Sequence, residues 1–167
     1  MKKIVKLSIV LVLFVIGVYC YQMRTSEAGI DLIKLFEGCR TIAYQDAIGV
    51  WTIGYGHTVD VKEGMLITQH QCDVMLEVDL EKYENYINKH VHVSLTQNQF
   101  DALVSWVYNL GIGNLLSSTM LKELNAGNYE EVPTQIKRWN RAGGKVLKGL
   151  VRRRNAEAEL FENEPSN

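Results

Sequence analysis

Glu37, Asp46 and Thr52 follow one another as E-x8-D-x5-T, and the run Thr52-Ile53-Gly54-Tyr55-Gly56-His57 starts on the last of them. Two carboxyl groups flanking a turn-rich hairpin are enough to cleave a glycosidic bond. One protonates the leaving oxygen, and the other stabilises positive charge or activates water. A lone Glu/Asp pair at this spacing is common in any chain, so the weight lies in the continuation through Thr52 and the glycine-rich run.

The flanking segments predict how these residues are held. Thr25 or Ser26 is suited to N-cap an amphipathic helix in which Ile30, Ile33, Leu35 and Phe36 supply apolar contacts, with its end at Glu37-Gly38. Glu37 then sits at a helix C-terminus, where unpaired carbonyls favour the protonated form that a general acid needs. The plain alternative is a solvated helix-end carboxylate. Thr41 to His57, rich in β-branched and aromatic residues, reads as a small antiparallel sheet. Alternation over Val50 to Gly56 predicts Thr52, Gly54 and Gly56 on one face and Trp51, Ile53 and Tyr55 on the other. A hydroxyl beside glycines can address a water or a sugar at close range, although a β-favouring threonine in a hairpin explains Thr52 as well.

After Gly64 the pattern is helical, over about Thr68 to Lys89, Thr96 to Leu110, Ser117 to Ala126, Glu130 to Asn140 and Leu150 to Glu162. At 167 residues, 47% hydrophobic and 22% charged, the chain has room for one sizeable core and no second full domain. The first 23 residues stand apart. Leu7 to Met23 holds no charge and follows Lys2, Lys3 and Lys6; as a helix it would be about 25 Å long, enough to span a bilayer with Tyr19 and Tyr21 as interfacial anchors. The expected organisation is therefore a transmembrane signal-anchor over 1–23 with its N-terminus inside, and a catalytic domain over 24–167 outside. A cleavable signal peptide is the competing reading. It lacks a suitable site, because Tyr19 is bulky and a cut after Ala28 would remove the start of the first helix.

Without that segment 15 basic residues face 19 acidic ones, a formal charge of −4. That balance disfavours a nucleic-acid binder and gives no overall pull towards an anionic cell wall, so substrate binding falls to the cleft. His90 and His92 form an H-x-H pair with His70 and Cys72 nearby in sequence, but no second pair has zinc spacing, and no metal is expected.

The E-x8-D-x5-T pattern with its TIGYGH run resembles the phage-type lysozymes of glycoside hydrolase family 24. The resemblance continues through Gln97-Asn98-Gln99-Phe100-Asp101-Ala102-Leu103, Asn109-Leu110-Gly111-Ile112-Gly113-Asn114, Ser117-Ser118-Thr119, Arg138-Trp139-Asn140 and Gly149-Leu150-x-x-Arg153-Arg154, and so covers roughly Ser26 to Phe161. It implies an α+β, lysozyme-like two-lobe fold: a small antiparallel β-sheet lobe and a larger helical lobe, joined by the long helix, with the substrate cleft between them. It implies that Glu37 is the general acid, that Asp46 stabilises an oxocarbenium-like transition state and positions water with Thr52, and that the reaction inverts. Tyr108, Asn109 and Ser118 become candidate sugar contacts, each also explicable by packing or capping. His57 reads as structural, fixing the hairpin by a hydrogen bond, and Arg152 to Arg154 read as a salt-linked surface beside Glu157 and Glu159.

The implied activity is that of an endolysin: a muramidase that hydrolyses the β-1,4 bond between N-acetylmuramic acid and N-acetylglucosamine in peptidoglycan and lyses bacteria. No cofactor is implied, and a monomer is the default. The anchor resembles the signal-arrest-release subgroup, tethered in the inner membrane and later released to the periplasm. Two rivals stand beside it: a lytic transglycosylase, against which Asp46 with Thr52 argues, and a membrane-anchored peptidoglycan-binding protein with vestigial catalytic residues. Cys20, Cys39 and Cys72 are either small buried hydrophobes or a control device in which released Cys20 bonds to Cys39.

Overall fold

The computed structural model describes residues 22–163. Cys20 and the apolar segment up to Tyr21 lie outside them, and among the described residues no helix is long and apolar enough to cross a membrane.

Helix α1, Glu27–Glu37, buries Gly29, Ile30 and Ile33 and is stopped by Gly38 at φ 68°, whose N–H returns to the Lys34 carbonyl. Leu35, expected to pack, is 74% exposed. Two residues beyond Ile33 it lies about 200° round the helix, facing away from the core. Ser26 holds the N-cap position without capping its own helix. Its hydroxyl and its N–H both donate instead to Asp101, a fully buried carboxylate that Gln97 also serves. One turn on, a Cβ at Gly29 would come within 2.7 Å of the Asp101 Cβ, so only glycine allows this approach.

Strands β1, Arg40–Gln45, and β2, Trp51–Gly54, pair antiparallel with Tyr44 opposite Thr52 and Gln45 opposite Trp51. Leu66 adds a bridge to Ile42 on the other edge of β1. The alternation expected through Gly56 ends at Gly54. Gly54 and Gly56, at φ 65° and 103°, turn the chain so that His57 exchanges both backbone hydrogen bonds with Ile53. Gly56 therefore does not share a strand face with Thr52. These conformations are costly for residues with a Cβ.

The long helix α2, Gln69–His90, starts with a capping box between Thr68 and Gln71, and α3, Gln97–Leu110, with the same device between Thr96 and Gln99. From Phe100 to Val107 every residue of α3 is buried, so this helix is the axis of the larger lobe. Around it lie α4 (Ile112–Ser117), α5 (Thr119–Asn125), a 3-10 turn (Tyr129–Glu131), α6 (Val132–Lys137) and α7 (Lys148–Glu162). Three details differ from the sequence reading. A separate short helix precedes Ser118, the segment after Glu130 is helical only to Lys137, and a hairpin of β3 (Arg141–Ala142) and β4 (Lys145–Val146) occupies the gap before α7. Gly143-Gly144, both at positive φ, make the tight hairpin turn.

Residues 23–25 are laced onto the long helix. Asn88 bonds both the N–H and the carbonyl of Met23, while buried Glu84 accepts from Arg24, from the Thr25 N–H and from the Thr25 hydroxyl. Cys39 packs against the core that contains Cys72, and burial followed by the Cys39 thiol pushes the Cys72 thiol up to about 12. The Cys39 neighbour in the described structure is thus Cys72.

Candidate active site

Glu37 closes the last turn of α1, so its position is set by whatever holds that helix, and its side chain is only 22% exposed. It borders two depressions. One, of about 270 Å³, lies between the lobes and is lined by His57 and Val59 of the small lobe, Asp79 and Tyr83 of α2, and Tyr108 and Asn109 of α3. The other, of about 640 Å³, shares Glu37 and Asn109 and continues past Phe36 to Leu147 and Leu150. Glu37 thus stands between two troughs.

The partner of Glu37 is Arg153 of α7, whose Nη1 donates to Oε1 at 2.6 Å. The guanidinium also lies 5.7 Å from the Phe36 ring centroid. Arg153 and Arg154 are salt-linked to Glu157 as expected, but they are buried, at 3% and 0% exposure, and not on the surface, where of the triplet only Arg152 lies. A buried guanidinium requires acceptors on its hydrogens, and Glu37, Glu157 and the Ser105 carbonyl provide them for Arg153. The spacing R-R-x-x-E, which puts Glu157 one helical turn from both arginines, was the available signal for this contact.

The hairpin residues are arranged differently. Asp46 Oδ1 accepts from the N–H groups of Ile48 and Val50, at 3.0 and 2.8 Å, and so caps its own turn, leaving Oδ2 without a partner among the described residues. Thr52 is 4% exposed and its hydroxyl donates to the Val50 carbonyl at 3.0 Å. Asp46 and Thr52 are brought together on one hairpin, although neither lines the two depressions that flank Glu37.

Of the candidate sugar contacts, Tyr108 and Asn109 line the interlobe trough. The Tyr108 hydroxyl donates to the Tyr55 carbonyl at 2.8 Å, tying the larger lobe to the glycine turn, and burial pushes the phenol well up. The Asn109 amide is exposed, and its Oδ1 accepts from Arg154 Nη2 at 2.8 Å. Ser118 lies elsewhere, beside Arg138 and Trp139, where its hydroxyl accepts from the Leu121 N–H as a helix cap. His57 makes the type of bond expected of it: Nδ1 meets Asp79 Oδ2 at 2.8 Å and Nε2 meets the Val59 carbonyl at 2.9 Å. With both ring nitrogens facing acceptors, it fastens the small lobe to α2.

A small sheet lobe and a helical lobe, joined by one long helix and carrying a carboxyl between two troughs, define a lysozyme-like glycosidase. The chain belongs to the phage lysozyme family, whose model matches residues 34–157. It is 46% identical over 142 residues to the endolysin of Bacillus phage B103, covering 83% of this chain and 54% of that protein. The chain thus spans about half the length of that relative. It is 39% identical over 125 residues to the SAR-endolysin of Enterobacteria phage P21, covering 74% of this chain and 76% of that one. Among solved structures, the muramidase domain of SpmX from Asticaccaulis excentricus superimposes with a TM-score of 0.80 at 42% identity, covering 84% of this chain and 98% of that chain. By its family this is a glycoside hydrolase of the lysozyme type.

Proposed function

We propose that the protein is an endolysin that hydrolyses the β-1,4 bond between N-acetylmuramic acid and N-acetylglucosamine in peptidoglycan, and so lyses bacterial cells. The observation that carries the reading is the position of Glu37 on the ridge between the two troughs, with Arg153 behind it. A glycan lying across both troughs would present its bridging oxygen to this carboxyl. Glu37 protonates that oxygen, and Arg153 receives the carboxylate left behind with a charge-assisted hydrogen bond.

On the opposite side of the scissile bond, Asp46 supplies the second carboxylate. Its capped Oδ1 is fixed by the turn, which leaves Oδ2 to accept a hydrogen from the attacking water. The Thr52 hydroxyl, whose proton is committed to Val50, offers lone pairs to the same water. Attack from the face opposite the leaving group inverts the anomeric centre.

The apolar segment ending at Met23 anchors the enzyme in the inner membrane with its catalytic domain in the periplasm, from which it is later released. Support comes from the lysine-flanked sequence and from the P21 relative, a SAR-endolysin. The decisive assay adds purified full-length protein to chloroform-treated Gram-negative cells and follows clearing and released sugars. Clearing with new reducing ends, abolished in Glu37→Gln, is expected. Anhydro sugars would replace hydrolysis with transglycosylation, and binding without clearing would leave only a wall-binding protein.

A further inference from the structure

Among the charged residues of α7, Arg153 is the one that bonds Glu37 in the described structure, and two further charges are buried behind it. Glu157 and Arg154 are both 0% exposed. Burying ions costs several kcal/mol each unless they are well paired, and apolar residues of similar size usually serve packing better. The pairing here converges on one atom. Glu157 Oε1 accepts from Arg153 Nε at 3.0 Å, from the Ser105 hydroxyl at 2.9 Å and from Arg154 Nη2 at 3.2 Å. Arg154 Nε lies 2.9 Å from Glu157 Oε2 but off the hydrogen-bonding direction, so that contact is one of charge alone. The chain of contacts runs from Glu37 through Arg153, Glu157 and Arg154 to Asn109, beginning and ending on residues that line the cleft.

We propose that Glu157 and Arg154 are positioning residues that set how firmly Arg153 holds Glu37, and thereby the pH range in which the enzyme works. This rests on Glu37 being the general acid. Arg153 is shared between two carboxylates, so weakening either contact strengthens the other. With Glu157 neutralised, two guanidinium groups are left with Glu37 as the acidic side chain in the chain of contacts, and its ionised form is held more tightly. With Arg154 neutralised, Glu157 has one cation fewer and draws Arg153 away from Glu37.

The two innermost charges feel their burial and each other. Burial pushes Glu157 up while Arg154 and Arg153 pull it back, and burial draws Arg154 down to about 10, still charged near neutrality. Other groups face Glu37 across the cleft. From α2 come Asp79, Lys82 and Tyr83, with His57 bound to Asp79, and α3 contributes the neutral Tyr108 and Asn109. Arg152 lines the second trough. None of these changes in the substitutions below, so a difference reports the charges on α7.

The test is the pH profile of peptidoglycan hydrolysis by the full-length protein, unmutated and as Glu157→Gln and Arg154→Met, with melting temperatures recorded alongside. Glutamine keeps an oxygen for Ser105 and Arg153. The alkaline limb of kcat/KM is expected to move to lower pH by about one unit in Glu157→Gln and to higher pH in Arg154→Met. A role in packing alone would lower the melting temperature, or the rate at every pH, without moving the limb, and unmoved limbs overturn the assignment. If Arg154→Met does not fold, Arg154→Lys takes its place. Lysine keeps the charge and must leave the limb in position while Glu157→Gln still moves it, and a shift in both overturns the assignment too. Glu37→Gln separates the two levels. Full activity in that variant removes the general acid itself, whereas a dead Glu37→Gln beside an unmoved Glu157→Gln removes only the influence of α7.

Discussion

The two carboxylates assigned to the chemistry are held in opposite ways. Glu37 depends on Arg153, 116 positions away, and on a helix whose start is fixed by Asp101, itself 75 positions from Ser26. Asp46 is held by N–H groups two and four positions along the chain. Glu37 is thus placed by the whole larger lobe, while Asp46 is placed by one hairpin. The difference has a physical basis. Partial withdrawal from water favours the protonated form of a carboxyl, and the guanidinium beside Glu37 receives the carboxylate once the proton has gone; local sequence supplies neither, whereas a group at an exposed turn needs only its neighbours.

Substitution of the two acids should show this contrast most strongly. Glu37→Gln is expected to lower turnover by about 10² to 10⁴-fold, the usual range for loss of a general acid. Asp46→Asn should also cripple turnover, but its Oδ1 can still accept from Ile48 and Val50, so its melting temperature should match that of the unmutated protein. A large loss of stability in Asp46→Asn would show that the hairpin is not self-contained.

The long-range ties that place α1 come next in size. Asp101→Ala takes the acceptor from the Ser26 N–H and hydroxyl at a partly buried crossing, while Gln97 keeps the Arg24 carbonyl, and should cost about 1 to 3 kcal/mol in urea unfolding. Gly29→Ala should overpack the same crossing by about 1 to 3 kcal/mol. A cost below that of Asp46→Ala in either variant would reverse the ranking of long-range over local support.

The same distinction explains what the sequence made legible. Helix α1 and its stop at Gly38, the hairpin, the helix starts near Thr68 and Thr96 and the site motif could all be read, because each is written in neighbours within a few residues. Leu35, Gly56 and the Arg153 to Glu37 contact could not. Leu35 is apolar but on the solvent side of its helix, Gly56 is in a turn that looks like a strand, and Arg153 meets a residue from the other end of the chain. Quoted only as part of a motif, Asp101 owes its meaning to Ser26 and Gly29, and nothing local to it reveals that.

Tyr108 sharpens the comparison at smaller scale, because it could serve the sugar or the fold. Its hydroxyl is already committed to Tyr55. Tyr108→Phe should therefore lower stability by about 1 kcal/mol, as the Tyr55 carbonyl loses its donor, while KM for peptidoglycan changes little. A rise in KM at unchanged stability would return Tyr108 to the substrate.

The smallest effect expected comes from a tie between the two kinds of region. Asp73 of α2 accepts from Lys34 of α1 at 2.8 Å and from the Tyr55 hydroxyl at 3.1 Å, joining the acid's helix to the glycine turn. The Lys34 hydrogen bond holds the Asp73 carboxyl below its ordinary value, and the same bond raises Lys34. A depressed carboxyl adds stability above its unfolded value, about 3.9, and loses it as the pH falls through the lower folded value. The raised lysine adds stability in full below its unfolded value, about 10.4, and loses it as the pH rises through the higher folded one. Asp73→Asn should thus melt slightly below the unmutated protein between about pH 5 and 9, and the gap should close both in strong acid and in strong base. The pair is partly open to solvent, so added salt should narrow the gap at neutral pH. Melting curves at the three pH values would test this, and a gap of equal size at all of them would mean that shape, not charge, joins α1 to the turn.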